Sequence, residues 1–297
     1  LVREAGAGNH GEQRRRGGAA AIATPSSVAL NSTPPRSTPR RCLTIAASDS
    51  GGGAGIQADL KAFAAAGCYG TSVVVAVTAQ NTTGITAVHE IPPEIITAQL
   101  NAVYDDIGVD AAKTGALVSR AAVDAVADFI EAHPTTLVVD PVLRATTGGT
   151  LLHSDAARAL VDRLFRVARV ITPNLLEAQA LVGAAAPAPE LAERLVAMGA
   201  QAALITGGHN DAPVDHLFDG GEHVDIPISR VESRATHGSG CTHSATLAAE
   251  LALGHTLLEA ARTAAVVTAA AIAAGLTGIG AGEGPVDVLQ ATGVRQR

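Results

Sequence analysis

Tryptophan is absent from this chain, and aromatic residues make up only 2% of it. Its core must therefore be aliphatic, and base-stacking platforms for nucleic acid are argued against. Cysteine is scarce. Cys42, Cys68 and Cys241 are odd in number and far apart, which implies neither a disulfide framework nor a zinc site and suits a reducing cytoplasm. No apolar run reaches the roughly 20 residues of a membrane span, because 245–274 is interrupted by Glu250, Gly254, His255, Glu259 and Arg262. No secretory apolar region is present near the amino terminus. Lysine occurs only as Lys61 and Lys113, and no Gly-Lys-Ser/Thr follows a glycine cluster, so a Walker A loop is excluded.

What is present points to a folded α/β protein. The 297 residues are 47% hydrophobic, enough for one large domain or two smaller ones. The net charge of −7 is uneven. Residues 1–41 carry seven arginines against Glu4 and Glu12, so the remainder is strongly acidic and disfavours a nucleic-acid partner. The Gly, Ser, Pro and Arg content of 1–41, without apolar periodicity, reads as a disordered basic extension. A transit peptide and a basic tail compete with an upstream start-site artefact; because the chain opens on Leu1 in a composition common to GC-rich coding sequence, an artefact or inert tail is favoured.

From residue 42 onward, strand and helix signals alternate. Short β-branched runs fall at 42–46, 72–77, 110–114, 137–142, 170–172 and 203–206. Helical patterns fall at 55–66, 93–106, 119–133, 154–168, 175–181 and 189–198. This alternation predicts a mainly parallel sheet with helices on both faces. Ser119 and Ser154 suit N-caps, and Asn174 with Glu177 has capping-box spacing. Residues 214–218 and 223–228, joined by Asp219-Gly220-Gly221, predict an antiparallel hairpin at the sheet edge. Two Ala/Leu/Val-rich helices, 239–253 and 256–274, close the pattern. No repeat or linker is evident, and 42–297 reads as one domain.

In such a sheet, ligands sit beyond the carboxyl ends of the strands. The polar residues expected there are Asp49, Gln80 with Asn81, Lys113 with Thr114, Asp140, Asn174, and Thr206 with Gly207 and Gly208. Two glycine-rich segments stand out. SDSGGGAGIQADL, 48–60, links a strand to a helix and reads either as a small-molecule loop or as a tight turn. ATHGSGCTHS, 235–244, opens a long apolar helix, where unpaired N–H groups suit an anion. Cys241 on its first turn is expected to favour the thiolate and to accept a proton from a substrate hydroxyl; the plainer alternative is a half-buried cysteine at a helix start. The spacing of His237, Cys241 and His243 does not gather all three on one helical face, so metal binding is not expected there, and His243 reads as a surface or core histidine.

Seven ordered segments then carry a family resemblance: IAASDSGGGAGIQADLKAFAAAGCYG, VTAQNT, DAAKTG, VVDPV, TPNLLEA, GGH and ATHGSGCTHS. Over about residues 42–287 the chain resembles the hydroxymethylpyrimidine/phosphomethylpyrimidine kinases of thiamine biosynthesis, within the ribokinase-like superfamily. The resemblance implies a three-layer sandwich with a small antiparallel edge. It implies an ATP- and Mg²⁺-dependent kinase of 4-amino-5-hydroxymethyl-2-methylpyrimidine and of its monophosphate. By the same resemblance, Asp59 and Gln80 contact the pyrimidine, with Val142 as an apolar wall. Gly238, Ser239, Gly240 and Cys241 form the anion cradle, Cys241 standing where a sugar kinase has an aspartate base. Asn174 and Glu177 position hydrated Mg²⁺, Asp140 lies near the metal and phosphates, and Thr206, Gly207 and Gly208 lie on the nucleotide side. A pyridoxal/pyridoxine kinase or a non-catalytic pyrimidine-phosphate binder is the alternative, and a homodimer is left open.

Four positions depart from the family pattern. Ala47 stands for a usual glycine and adds a methyl near the expected pyrimidine, while Ala116 stands for a usual methionine and removes apolar bulk. Thr206 stands for a usual lysine, and Ala235 for a usual asparagine. These changes imply altered substrate preference or slower turnover.

Overall fold

The computed structural model describes residues 38–143, 154–207 and 213–294. The disorder expected of residues 1–37 lies outside that range, as does Gly208. Arg40 and Arg41, read as part of the tail, belong to the fold instead: both pair with Asp110, and Arg41 opens the first strand.

Nine strands make one sheet: β1 (Arg41–Asp49), β2 (Tyr69–Asn81), β3 (Gly84–Glu90), β4 (Ala111–Thr114), β5 (Thr136–Val139), β6 (Val170–Ile171), β7 (Ala203–Ile205), β8 (Val214–Phe218) and β9 (His223–Pro227). Their order is β3-β2-β1-β4-β5-β6-β7-β8-β9. From β2 to β7 all pairs are parallel; β3 and the β8–β9 hairpin run antiparallel at opposite edges. The second antiparallel edge escapes the sequence pattern. β3 is mostly exposed, so it lacks the apolar alternation that marks a half-buried strand, and Thr82-Thr83 is not a glycine-type hairpin signal.

One face of the sheet is covered by α2 (Pro93–Ala102), α3 (Arg120–Ala132), α4 (Ser154–Ala159), α5 (Leu175–Val182) and α6 (Ala188–Ala197); the other is covered by α1 (Gly55–Ala65), α7 (Ser239–Ala252) and α8 (Leu257–Ala273). A short α9 (Val288–Ala291), unmarked in the sequence, packs on α8. The expected long helix 93–106 ends in a π-helical turn at Val103–Ile107, and 154–168 passes through one at Leu160–Leu164 into a 3-10 turn at Phe165–Val167. β5 stops three residues short of Val142. Pro141 has no N–H to give the ladder, so Val142 lies on the loop beyond the strand.

Strand alternation sorts side chains between the two faces. Leu43, Ile45, Ala112, Leu137 and Val139 join the core under α2 and α3. Cys42, Ala111 and Val138 join the core under α1, α7 and α8, and Thr44 and Lys113 share their face. The chain leaves β1 towards β2 on one side and returns to β4 on the other. That reversal is the switch point at which an α/β sheet opens a crevice beyond its strand ends.

Candidate active site

The floor of the crevice is a buried polar array. Thr44 on β1 and Lys113 on β4 are register partners, and Asp59 meets them from the inner stripe of α1. Thr44 Oγ1 donates to Asp59 Oδ2 at 2.6 Å, and Lys113 Nζ lies 2.9 and 3.1 Å from the two Asp59 oxygens. Both charged side chains have 0% exposure. Asp140, just past β5, lies 3.6 Å from Lys113 Nζ and accepts the Ser244 hydroxyl of α7 at 2.8 Å. Burial works against the Lys113 ammonium, yet Asp59, Cys241 and Asp140 outweigh it and hold its pKa above the usual lysine range. Asp59, expected at the pyrimidine, has no exposed surface, and its oxygens are taken by Thr44 and Lys113.

Cys241 stands above this array on the first turn of α7. It is half-buried, whereas Cys42 and Cys68 are buried. The Gly55 N–H, first of α1, favours its thiolate, and the N-termini of α1 and α7 come together beside it, Gly238 packing on Gly53 and Ala54. Burial nevertheless pushes the thiol up to about 12, helped by Asp59 and Asp140 and opposed by Lys113 and Gly55. The thiolate expected from helix position alone is therefore not the resting form, because desolvation outweighs the dipole.

The anion cradle is narrower than the sequence suggests. The Ser239 N–H turns back to Thr236 O at 3.1 Å, and Thr242 N–H starts the helical ladder on Gly238 O at 2.9 Å. Between them, the N–H groups of Gly240 and Cys241 have no partner among the described residues. Gly238 takes φ +82°, and a Cβ there would lie 1.8 Å from Gly53 O. The two glycine segments are thus in direct contact. Asp49, which is buried, organises the first of them by accepting from Gly51, Gly53 and Ala54 N–H at 2.8, 3.0 and 2.8 Å. Burial opposes its charge, but His237 and the Ala54 and Gly51 N–H groups prevail and hold its carboxyl below the usual range.

On the far side of the crevice, Asn174 and Glu177 form the reciprocal capping box of α5 that their spacing implies. Asn174 bridges Thr206, which brings both beside Gly207. Burial, with Asp140 adding, pushes the Glu177 carboxyl up to about 7. A buried carboxyl whose ionisation the neighbouring Asp140 opposes makes, with Asp140, a donor pair fitted to a hard divalent cation such as Mg²⁺.

At the other end, Gln80 and Ser50 lock together: Ser50 Oγ donates to Gln80 O at 2.6 Å and accepts its N–H at 2.8 Å. The Gln80 amide oxygen takes the Thr78 hydroxyl at 3.1 Å, and its NH₂ has no partner among the described residues. Ala47 donates to Ala116 O at 3.0 Å, and both belong to one small cluster with Ala76 and Val118. The two alanine departures therefore meet at the same wall, one adding a methyl where the other removes bulk. Val142 is half-buried on its loop.

Two features escaped the sequence. The pairing of Lys113 carries no motif, although one of only two lysines set inside an apolar strand is the mark of a buried ion pair. A groove of about 310 Å³ between α8 and the segment after β9, lined by Ile228, Val231, Val266, Ala269, Ala270 and Ala273, carries no motif at all. Two residues past its last lining residue, Gly275 packs against Ala235, three residues before Gly238. His237 and His243 do not converge, and no group of three or more His, Cys, Asp or Glu side chains that could hold a metal ion occurs among the described residues. No helix among them is long and apolar enough to cross a membrane.

A family model described as phosphomethylpyrimidine kinase matches residues 49–287. A hydroxymethylpyrimidine/phosphomethylpyrimidine kinase of Rhizobium meliloti is 48% identical over 252 residues, covering 82% of this chain and 95% of that protein. A bifunctional thiamine biosynthesis protein of Geobacter sulfurreducens is 45% identical over 264 residues; 86% of this chain aligns with 54% of its length. Among solved structures, an ADP complex of Bacillus subtilis pyridoxal kinase superposes with TM-score 0.78 at 36% identity, covering 84% of this chain and 98% of that one. With the crevice at the switch point and the two glycine segments meeting at Cys241, the chain belongs to the phosphomethylpyrimidine kinase family, in the ribokinase-like fold.

Proposed function

We infer that the chain transfers the γ-phosphoryl group of ATP to the hydroxymethyl oxygen of 4-amino-5-hydroxymethyl-2-methylpyrimidine, and then phosphorylates the monophosphate, for thiamine biosynthesis. The observation that carries this reading is the meeting of the α1 and α7 N-termini beside Cys241 and the free N–H groups of Gly240 and Cys241. The pyrimidine lies over the 51–55 loop between Gln80 and the Ala47/Ala116 wall, with Val142 closing one side. The Gln80 NH₂ is free to donate to a ring nitrogen.

The Cys241 thiolate, a minor form at neutral pH that Lys113 and the Gly55 N–H favour, takes the hydroxymethyl proton, and the oxygen bonds to the γ-phosphorus as the bond to the β-phosphate oxygen breaks. Gly240 and Cys241 N–H stabilise the charge carried by the transferring group. Asp140 and Glu177, with Asn174 fixing the carboxylate of Glu177, would hold hydrated Mg²⁺, which when bound neutralises phosphate charge. Thr206 and Gly207 border the nucleotide phosphates, and its base occupies the apolar groove beside α8. The three free thiols suit a reducing cytoplasm.

A pyridoxal kinase is the second reading, favoured by the pyridoxal kinase neighbour and by the small side chains of the Ala47/Ala116 wall. A coupled ATP-consumption assay with hydroxymethylpyrimidine, its monophosphate and pyridoxal decides. Turnover of both pyrimidines is expected. Phosphorylation of pyridoxal alone overturns the proposal, and tight pyrimidine binding without turnover marks a non-catalytic binder. The groove has its own test. Ala269→Trp fills it and is expected to raise KM for ATP by about tenfold or more, about 1.4 kcal/mol of lost binding, with KM for the pyrimidine within threefold. An unchanged KM for ATP places the base elsewhere.

A further inference from the structure

We propose that two buried aspartate–histidine pairs, Asp49–His237 and Asp215–His243, are positioning pairs that clamp the phosphoryl cradle between the two ligand loops. The cradle, 238–241, is flanked in sequence by these histidines, and each reaches to an aspartate on a different side of the crevice. His237 Nε2 lies 3.1 Å from Asp49 Oδ2, and His243 Nε2 lies 3.1 Å from Asp215 Oδ2. All four residues are at most 5% exposed. Each aspartate also fixes a glycine loop through backbone N–H groups: Asp49 holds Gly51, Gly53 and Ala54, and Asp215 Oδ1 accepts from Gly207 at 2.9 Å.

The arrangement is symmetric in its logic. A carboxylate accepts only, so each imidazole donates from Nε2. Both Nδ1 atoms are buried without a partner among the described residues. A fold seeking stability alone would pair or expose them; here both rings give up one hydrogen bond to keep Nε2 on an aspartate. The contacts around them leave little play. A Cβ on Gly53 would lie 2.2 Å from His237 Cδ2, one on Gly238 1.8 Å from Gly53 O, and one on Gly207 1.9 Å from Val214 O. Asp49–His237 therefore sets the distance from the substrate loop to the cradle, and Asp215–His243 sets the distance from the 206–207 turn to the cradle. Misplacement by about 1 Å in such a site lowers rate by about 10²-fold.

The inference rests on the cradle reading above and separates from it experimentally. In steady-state assays with hydroxymethylpyrimidine and ATP, His237→Ala is expected to lower kcat/KM for the pyrimidine by about 10²-fold, with KM for ATP within threefold. His243→Ala is expected to raise KM for ATP by about tenfold, with KM for the pyrimidine within threefold. His237→Gln and His243→Gln should recover most of each loss, because the glutamine NH₂ can donate from near the Nε2 position, whereas Asn at either site should not. If the alanine variants fail to fold, the Gln-against-Asn comparison carries the same test. Equal changes in both substrates' parameters, or none at all, overturn the proposal and leave the pairs as mere packing. Gly240→Ala is assayed alongside, since its methyl enters open space in the cradle. Wild-type kinetics in Gly240→Ala sinks the cradle reading itself; an impaired Gly240→Ala with unsplit histidine variants sinks only the clamp.

Discussion

Replacing Cys241 by alanine is expected to lower kcat by about 10²- to 10⁴-fold, the usual worth of a positioned general base, while KM for both substrates moves only a few-fold. The reason lies in what the thiol touches. The first N–H of α1, the N-terminus of α7 and the Lys113 ammonium all favour its thiolate, the form that accepts the proton of an oxygen being phosphorylated there. A kcat unchanged in Cys241→Ala removes it from that role. The protonation state gives a second handle. Burial raises the thiol pKa to about 12, so the proton is bound throughout the neutral range, and the thiolate fraction climbs about tenfold per pH unit up to that value. Iodoacetamide labelling of the ligand-free protein should accelerate steadily from pH 7 to pH 10. Cys42 and Cys68, both buried, should stay unlabelled in the folded protein. A plateau near pH 9, as for an ordinary exposed thiol, contradicts the buried neutral form.

Lys113→Met should be the most destabilising single change in the crevice, by about 3–5 kcal/mol, which lowers Tm by about 10 °C. Methionine fills much the same volume, so the loss is electrostatic. It leaves Asp59 with 0% exposure and, among the described residues, Thr44 as its one side-chain partner, and it removes the cation between Asp59 and Asp140. Adding Asp59→Asn in the same chain removes the stranded charge while keeping an acceptor for Thr44, and should restore more than half of the loss. Such recovery separates a broken ion pair from a packing defect, which the second substitution would deepen. A Lys113→Met protein that melts like the wild type shows that the array does not hold the floor together.

Much of this was legible in the chain. Glycine clusters at a strand-to-helix turn and at a helix start have few physical explanations, and both lie where expected, as do the capping box at Asn174–Glu177 and the hairpin after β7. His243 is the core histidine that its position in an apolar helix allows. Local patterns failed where the surroundings decide. Asp59 reads on paper as a carboxylate near a helix start, yet it falls on the buried stripe with Ile56, Ala62 and Phe63. Cys241 reads as an activated thiol, and desolvation reverses that. β3 escaped because a mostly exposed edge strand has no apolar period to betray it.

The sequence by itself determined the alternation of strands and helices, the aliphatic core and the two glycine segments, because periodicity and backbone permissiveness are properties of a few adjacent residues. Only the tertiary structure decided that those segments touch at Gly53 and Gly238. It also decided that Lys113 is shared by Asp59 and Asp140, and that Ala47 and Ala116 form one wall. These are meetings between residues tens to nearly two hundred positions apart. Burial, dielectric and charge at such meetings are set by everything packed around them, and no local stretch of the chain encodes that sum.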